Sequence, residues 1–128
     1  MTERRSWRAS MDEGSEQKYV VVCKDGIEWK NKLEENKNKL VVAYFSADWC
    51  GPSRFIYPVV VDLAKKANET VLFIKIDVDK LWDIARHWKV VSLPTFVLIK
   101  NKEEKKRIQG AMKEELQDAV SPYFTQSN

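Results

Sequence analysis

The stretch Leu40-Val41-Val42-Ala43-Tyr44-Phe45-Ser46-Ala47-Asp48-Trp49-Cys50-Gly51-Pro52-Ser53 changes character within fourteen residues. Leu40 to Phe45 is a continuous apolar run, the pattern of a strand buried on both faces. Beyond Pro52, the residues Phe55, Ile56, Val59, Val60, Leu63, Ala64 and Ala67 recur at three- and four-residue spacing, which gives a helix one apolar face. Proline is favoured at the first helical position, so the helix is expected to begin at Pro52. Cys50 then stands at the helix start, where unpaired N–H groups and the helix dipole favour an anion. A cysteine so placed is a candidate nucleophile, because the thiolate is the reactive form. Pro58 is expected to kink the helix it interrupts.

Working outward, Tyr19 to Cys23 is short and β-branched and reads as a first strand. Asp25 and Glu28 have capping-box spacing ahead of Trp29 and Leu33, which suits a helix. On the other side, Val71 to Val78 reads as another central strand. Leu81, Ile84, Ala85 and Trp88 mark a helical face. Thr95 to Ile99 is a strand, and Lys105 to Gln109 a weaker one of edge type. Met112, Leu116, Ala119 and Val120 mark a last helix, bent or ended near Pro122. The order is β-α-β-α-β-α-β-β-α. Early alternation requires parallel neighbours joined by helical crossovers. The last two strands are close enough in sequence for an antiparallel hairpin. A mixed sheet with helices on both faces follows.

The chain has 128 residues, 44% hydrophobic and 32% charged, which fits one globular domain. Its net charge of +3 arises from 22 basic residues interleaved with 19 acidic ones. Nucleic-acid binding shows a denser basic stripe, so no nucleic-acid partner is expected. The nearest run, Lys100 to Arg107, is broken by Glu103 and Glu104 and reads as a solvated turn and strand edge. Two cysteines, Cys23 and Cys50, are too few for a disulfide-stapled scaffold. With His87 they cannot complete a four-ligand zinc site, and no metal or cofactor is expected. No apolar run approaches the length needed to span a bilayer. Residues 1–18 are polar apart from Trp7 and read as a flexible tail, as do 126–128. They carry neither a secretory h-region nor the acid-poor composition of a transit peptide, so a reducing cytosol is the expected address.

Taken together, Ala47-Asp48-Trp49-Cys50-Gly51-Pro52, Arg54-Phe55-Ile56 with Pro58, Asp62-Leu63-Ala64-Lys65-Lys66, Asp77-Val78-Asp79, Pro94-Thr95-Phe96 and Gly110-Ala111 resemble the thioredoxin family. The resemblance is greatest to the plant h-type thioredoxins and covers residues 19–125 as one domain. It implies an α/β thioredoxin fold, a central five-stranded mixed sheet flanked by four helices. It also implies that Pro94 is the family's cis-proline, facing the active cysteine. Trp49, Gly51, Pro52, Leu93, Pro94, Gly110 and Ala111 match the family's client-binding surface, where a backbone edge can pair with an extended peptide.

Three positions stand apart from the dithiol pattern. Ser53 occupies the place of the resolving cysteine. In disulfide exchange a first thiolate forms a mixed disulfide, which a second thiol must attack. A serine hydroxyl stays protonated near neutral pH and cannot do so. Cys50 is therefore expected to start exchange but to need a client thiol or glutathione to finish it, which is isomerase-like chemistry. This resembles the monothiol CxxS branch of plant thioredoxins. Tyr44 occupies the place of a buried Asp that assists the resolving thiol, and Lys75 that of the Asp's partner. The loss of Asp together with the thiol favours a natural variant over an engineered Cys-to-Ser trap. Cys23 reads as a structural thiol at a strand end, too distant from Cys50 for a disulfide. His87 falls outside the apolar face of its helix and reads as a surface residue.

The expected function is thus monothiol thiol–disulfide exchange on disulfide- or thiol-containing client proteins, by a monomer acting at no membrane. A client-binding module without turnover, and an engineered trap of a dithiol reductant, are the alternatives.

Overall fold

The computed structural model describes residues 18–67 and 69–124. The tails expected over 1–18 and 126–128, Trp7 included, lie outside the described residues except for Lys18. The chain runs β1 (Val20–Val22), α1 (Gly26–Glu35), β2 (Leu40–Ser46), α2 (Gly51–Ala67), β3 (Val71–Asp77), α3 (Trp82–His87), β4 (Thr95–Lys100), β5 (Glu103–Gln109) and α4 (Lys113–Val120), followed by a 3-10 turn at Ser121–Tyr123.

The strands form one five-stranded sheet in the order β1-β3-β2-β4-β5. β3 lies parallel to both β1 and β2, the pairing that helical crossover connections produce. β4 returns antiparallel to β2, and β5 antiparallel to β4. The sheet is mixed, as the element order requires. The β4–β5 hairpin turns at Asn101 and Lys102, with φ of 54° and 65°. Two left-handed residues in a two-residue loop match the twist of the strands they join. Lys102 has a side chain where glycine is usual, and its ammonium is ion-paired with Glu34 of α1.

β2 is buried along its whole length, and its parity divides the core in two. Leu40, Val42 and Tyr44 join Val60, Leu63 and Ala64 of α2 and Leu116 and Val120 of α4 on one face. Val41, Ala43 and Phe45 join Trp29 of α1 and Ile84 and Ala85 of α3 on the other. Asp25 caps α1, accepting from the Glu28 N–H at 2.8 Å, while the Glu28 carboxylate accepts from the Lys24 N–H at 2.7 Å. The reciprocal bond falls one residue before the cap instead of on it.

Two expectations are corrected. α2 starts at Gly51, not Pro52, because the Cys50 carbonyl already accepts the Arg54 N–H at 3.1 Å. Pro52 is thus the second helical residue, where the missing N–H is also unneeded by the helix. Phe55 does not join the apolar face but is 74% exposed. The buried arc of α2 runs through Ser53, Ile56, Tyr57, Val60, Leu63, Ala64 and Ala67, and Phe55 falls outside it.

Candidate active site

Cys50 lies where the central strand β2 ends and α2 begins. Its N–H donates to the Ala47 carbonyl at 3.1 Å, closing a tight turn before the helix. The side chain is half-buried, and its Sγ lies 3.8 Å from the Leu93 carbonyl oxygen, within thiol hydrogen-bond range. The Leu93–Pro94 peptide bond is cis. The Pro94 carbonyl accepts from the Gly110 N–H at 2.8 Å. Gly110 has φ of +99°, a backbone conformation that suits glycine alone. The chain can therefore turn at once into α4, and Ala111 packs half-buried against the core. Three segments distant in sequence thus meet: the Cys50 turn, the Leu93–Pro94 loop and the Gly110–Ala111 turn.

Trp49 lies exposed at the margin of this site, and Gly51 and Pro52 are exposed on the first turn of α2. The Trp49 indole N–H donates to the Asp79 carboxylate at 2.8 Å, which fixes an otherwise free ring. No local pattern marks Asp79 as a site residue, because its partner lies 30 positions away. The Arg54 guanidinium donates to the Asp48 carbonyl at 2.8 Å and braces the same turn.

Ser53 is buried, 1% exposed. Among the described residues its hydroxyl has no hydrogen-bond partner. Beneath it, the Tyr44 hydroxyl donates to the Ser53 main-chain carbonyl. The Tyr44 ring stacks between Phe96 and Tyr57, with centroids 5.2 and 5.9 Å away. Lys75, opposite Tyr44 in the sheet register, holds its ammonium 4.6 Å from the centre of the Tyr57 ring. The place expected to hold an Asp in dithiol relatives is filled by aromatic packing.

Cys23 follows β1, buried, with its N–H donating to the Lys75 carbonyl at 3.0 Å. Burial, reinforced by Glu28, pushes its thiol up to about 11 from an ordinary 9.0. β3 intervenes between β1 and β2. Two strand spacings of about 4.8 Å already exceed the Cα separation of about 7 Å that a disulfide tolerates. The two cysteines are both free. His87 is exposed at the end of α3, its ring set edge-on to Trp88.

A sequence profile described as Thioredoxin matches residues 20–122, most of the chain and every segment of this site. The chain belongs to the thioredoxin family. Among curated thioredoxins, it is 43% identical over 120 residues to Thioredoxin H2-2 of Oryza sativa, covering 91% of this chain and 88% of that one. It is 44% identical over 108 residues to Thioredoxin H-type 1 of Nicotiana tabacum, covering 83% and 85%. Among solved structures, a thioredoxin from Nicotiana alata superposes with a TM-score of 0.77 at 36% identity, covering 82% of this chain and 92% of that one. The thioredoxin of Fasciola hepatica gives the same score and identity, covering 81% and 99%. The five-stranded mixed sheet flanked by four helices among the described residues is the thioredoxin fold. Plant h-type thioredoxins are its homologues. No helix among the described residues is long and apolar enough to cross a membrane.

Proposed function

We propose that this thioredoxin is a monothiol exchange protein of the CxxS kind, with Cys50 as its nucleophile. Thiol–disulfide exchange on disulfide-containing protein clients is the chemistry its homologues support. The observation that carries the monothiol reading is the pairing of a solvent-reachable Cys50 at a helix start with a buried hydroxyl, Ser53, one turn on.

In the first step the Cys50 thiolate attacks one sulfur of a client disulfide. A Cys50–client disulfide forms, and the other client sulfur leaves with the electron pair as thiolate. In the second step a further client thiolate, or glutathione, attacks the client-side sulfur. A new disulfide forms there, and Cys50 departs as thiolate. When the attacker belongs to the client, its disulfides are reshuffled with no net oxidation. Trp49, Gly51, Pro52, Leu93, Pro94, Gly110 and Ala111 form the client-binding surface, an extended segment lying along the Leu93–Pro94 backbone. The working unit is one domain over residues 19–125, acting as a monomer in a reducing compartment such as the cytosol.

The test is reactivation of scrambled ribonuclease without a reducing enzyme, beside trapping of the mixed disulfide on a non-reducing gel. Activity that disappears with Cys50→Ala supports the reading. Full activity in Cys50→Ala, or client binding with no covalent adduct, overturns it in favour of a non-covalent binding module.

A further inference from the structure

We infer that Arg107 is a positioning residue for client exchange: its guanidinium, clasped by Glu104, holds the start of the loop that presents the Leu93 carbonyl and Pro94 to Cys50 and its client. This rests on the client-binding reading above and adds to it a residue of the edge strand, outside that surface.

The loop begins where α3 ends. The Val90 N–H donates to the Ala85 carbonyl at 2.9 Å, and the Lys89 N–H to the Arg86 carbonyl at 3.0 Å. That pair of bonds is a Schellman ending, whose turning residue is ordinarily glycine. Here the turning residue is Lys89, with φ of 57°. A side chain in this left-handed region costs energy and persists where surrounding contacts over-determine it. Arg107 supplies such contacts. Its Nη2 donates to the Trp88 carbonyl at 2.7 Å and its Nη1 to the Lys89 carbonyl at 3.2 Å. Carbonyls at a helix C-terminus lack helical partners and favour a cation.

Register puts Arg107 in place. It stands opposite Val97 of β4, and Val97 belongs to the half of the core that holds Ile84 and Ala85 of α3. Directly paired residues share a face of the sheet, so Arg107 lies on the α3 side. Glu104 fixes the rest of the fork, accepting from Nε and from Nη2, each at 2.9 Å. These bonds hold the Glu104 carboxyl below its ordinary range and lift Arg107 further above its own. A two-pronged pair of this kind adds geometric precision to its energy.

Three residues on, the Gly110 N–H donates to the Pro94 carbonyl at 2.8 Å. One strand, β5, thus grips the loop at both ends, while Val91 and Ser92 between the grips are exposed. Without Arg107 the Trp88 and Lys89 carbonyls lose these donors, and a client has to order the segment as it binds. That cost falls on client affinity. The attack by the Cys50 sulfur does not involve Arg107.

The experiment compares wild type, Arg107→Ala and Arg107→Lys, all folded by circular dichroism. Insulin is the client, iodoacetamide the small reagent at Cys50, and amide hydrogen exchange the readout of the loop. Arg107→Ala is expected to raise the insulin concentration giving half-maximal rate of mixed-disulfide formation about fivefold, with the limiting rate little changed. Alkylation of Cys50 at pH 7 should also change little. Amides of residues 90–93 should exchange about tenfold faster, and those of β2 at their wild-type rate. Arg107→Lys, a cation without the planar fork, should recover part of the affinity. Equal half-maximal concentrations for wild type and Arg107→Ala, or an equal fall in insulin exchange and alkylation, overturn the inference. Unchanged hydrogen exchange at 90–93 overturns it with no client present. Wild type that forms no adduct with insulin sinks the monothiol reading instead, and the hydrogen-exchange arm still decides whether Arg107 orders the loop.

Discussion

The Tyr44 hydroxyl donates its hydrogen bond to the main-chain carbonyl of Ser53, tying the middle of the sheet to the first turn of the helix that bears the thiol. Both partners are buried, at 1% exposure each. Tyr44→Phe keeps the rings that stack with Tyr57 and Phe96 and removes the hydroxyl that makes this bond. The expected loss is about 1 kcal/mol of stability. It would be read as a lower urea midpoint at unchanged slope. An unmoved midpoint would mean the bond contributes nothing to folding.

The two thiols should separate cleanly by reactivity. Cys50 opens to solvent, whereas Cys23 is buried and its thiol is held up near 11. At pH 7, a reagent in excess is expected to label Cys50 alone, at least about a hundredfold faster than Cys23, because only the thiolate reacts. Both label in denaturant. Peptide mapping by mass spectrometry identifies the labelled site, and early label on Cys23 would contradict the burial argument.

Cys23 also makes a prediction at alkaline pH. The folded thiol keeps its proton more tightly than the unfolded one, with values of about 11 against 9.0. Its contribution is therefore intact below pH 9 and is lost as pH rises towards 11. Two units correspond to about 3 kcal/mol at full titration. Wild type should lose stability over that window more steeply than Cys23→Ala, measured by urea unfolding at several pH values. Parallel curves would show that the thiol stays protonated without cost.

Trp49 depends on Asp79 for its orientation. Asp79→Ala leaves the indole exposed but unanchored. Client exchange should weaken about fivefold through the concentration dependence, the equivalent of about 1 kcal/mol for one exposed hydrogen bond. Alkylation of Cys50 by a small reagent should change little, since that reagent does not use the ring. A large fall in both would point to collapse of the Ala47–Cys50 turn.

Ser53→Cys is expected to supply the missing resolving thiol. The side chain is already buried one turn from Cys50, and sulfur replaces oxygen without a lost partner. The variant should reduce insulin with a dithiol supply and hold mixed disulfides more briefly than wild type, seen on non-reducing gels. It should still lack the proton handling of a buried carboxylate, because Tyr44 fills that space.

The sequence alone was sufficient for the elements that depend on neighbours in chain, though not for the first residue of α2. The apolar run at Leu40–Phe45, the helical repeat after Pro52 and the strand-pair signal near the end each rest on periodicity, which local backbone geometry imposes. The position of Cys50 at a helix start is of this kind, whereas Ser53 reads as a replaced cysteine only through the resemblance to the thioredoxin family. Only the tertiary structure decided which side chains meet. Phe55 carries an apolar residue at helical spacing yet faces solvent, because packing of α2 on the sheet selects a narrower arc than hydrophobicity marks. Cys50 meets Leu93 across 43 positions, and Trp49 meets Asp79 across 30. Those partners are fixed by strand order and crossover, by β3 and β4 flanking β2, and no local pattern records that order. The bond from the Tyr44 hydroxyl of β2 to the Ser53 carbonyl of α2 belongs to the same class.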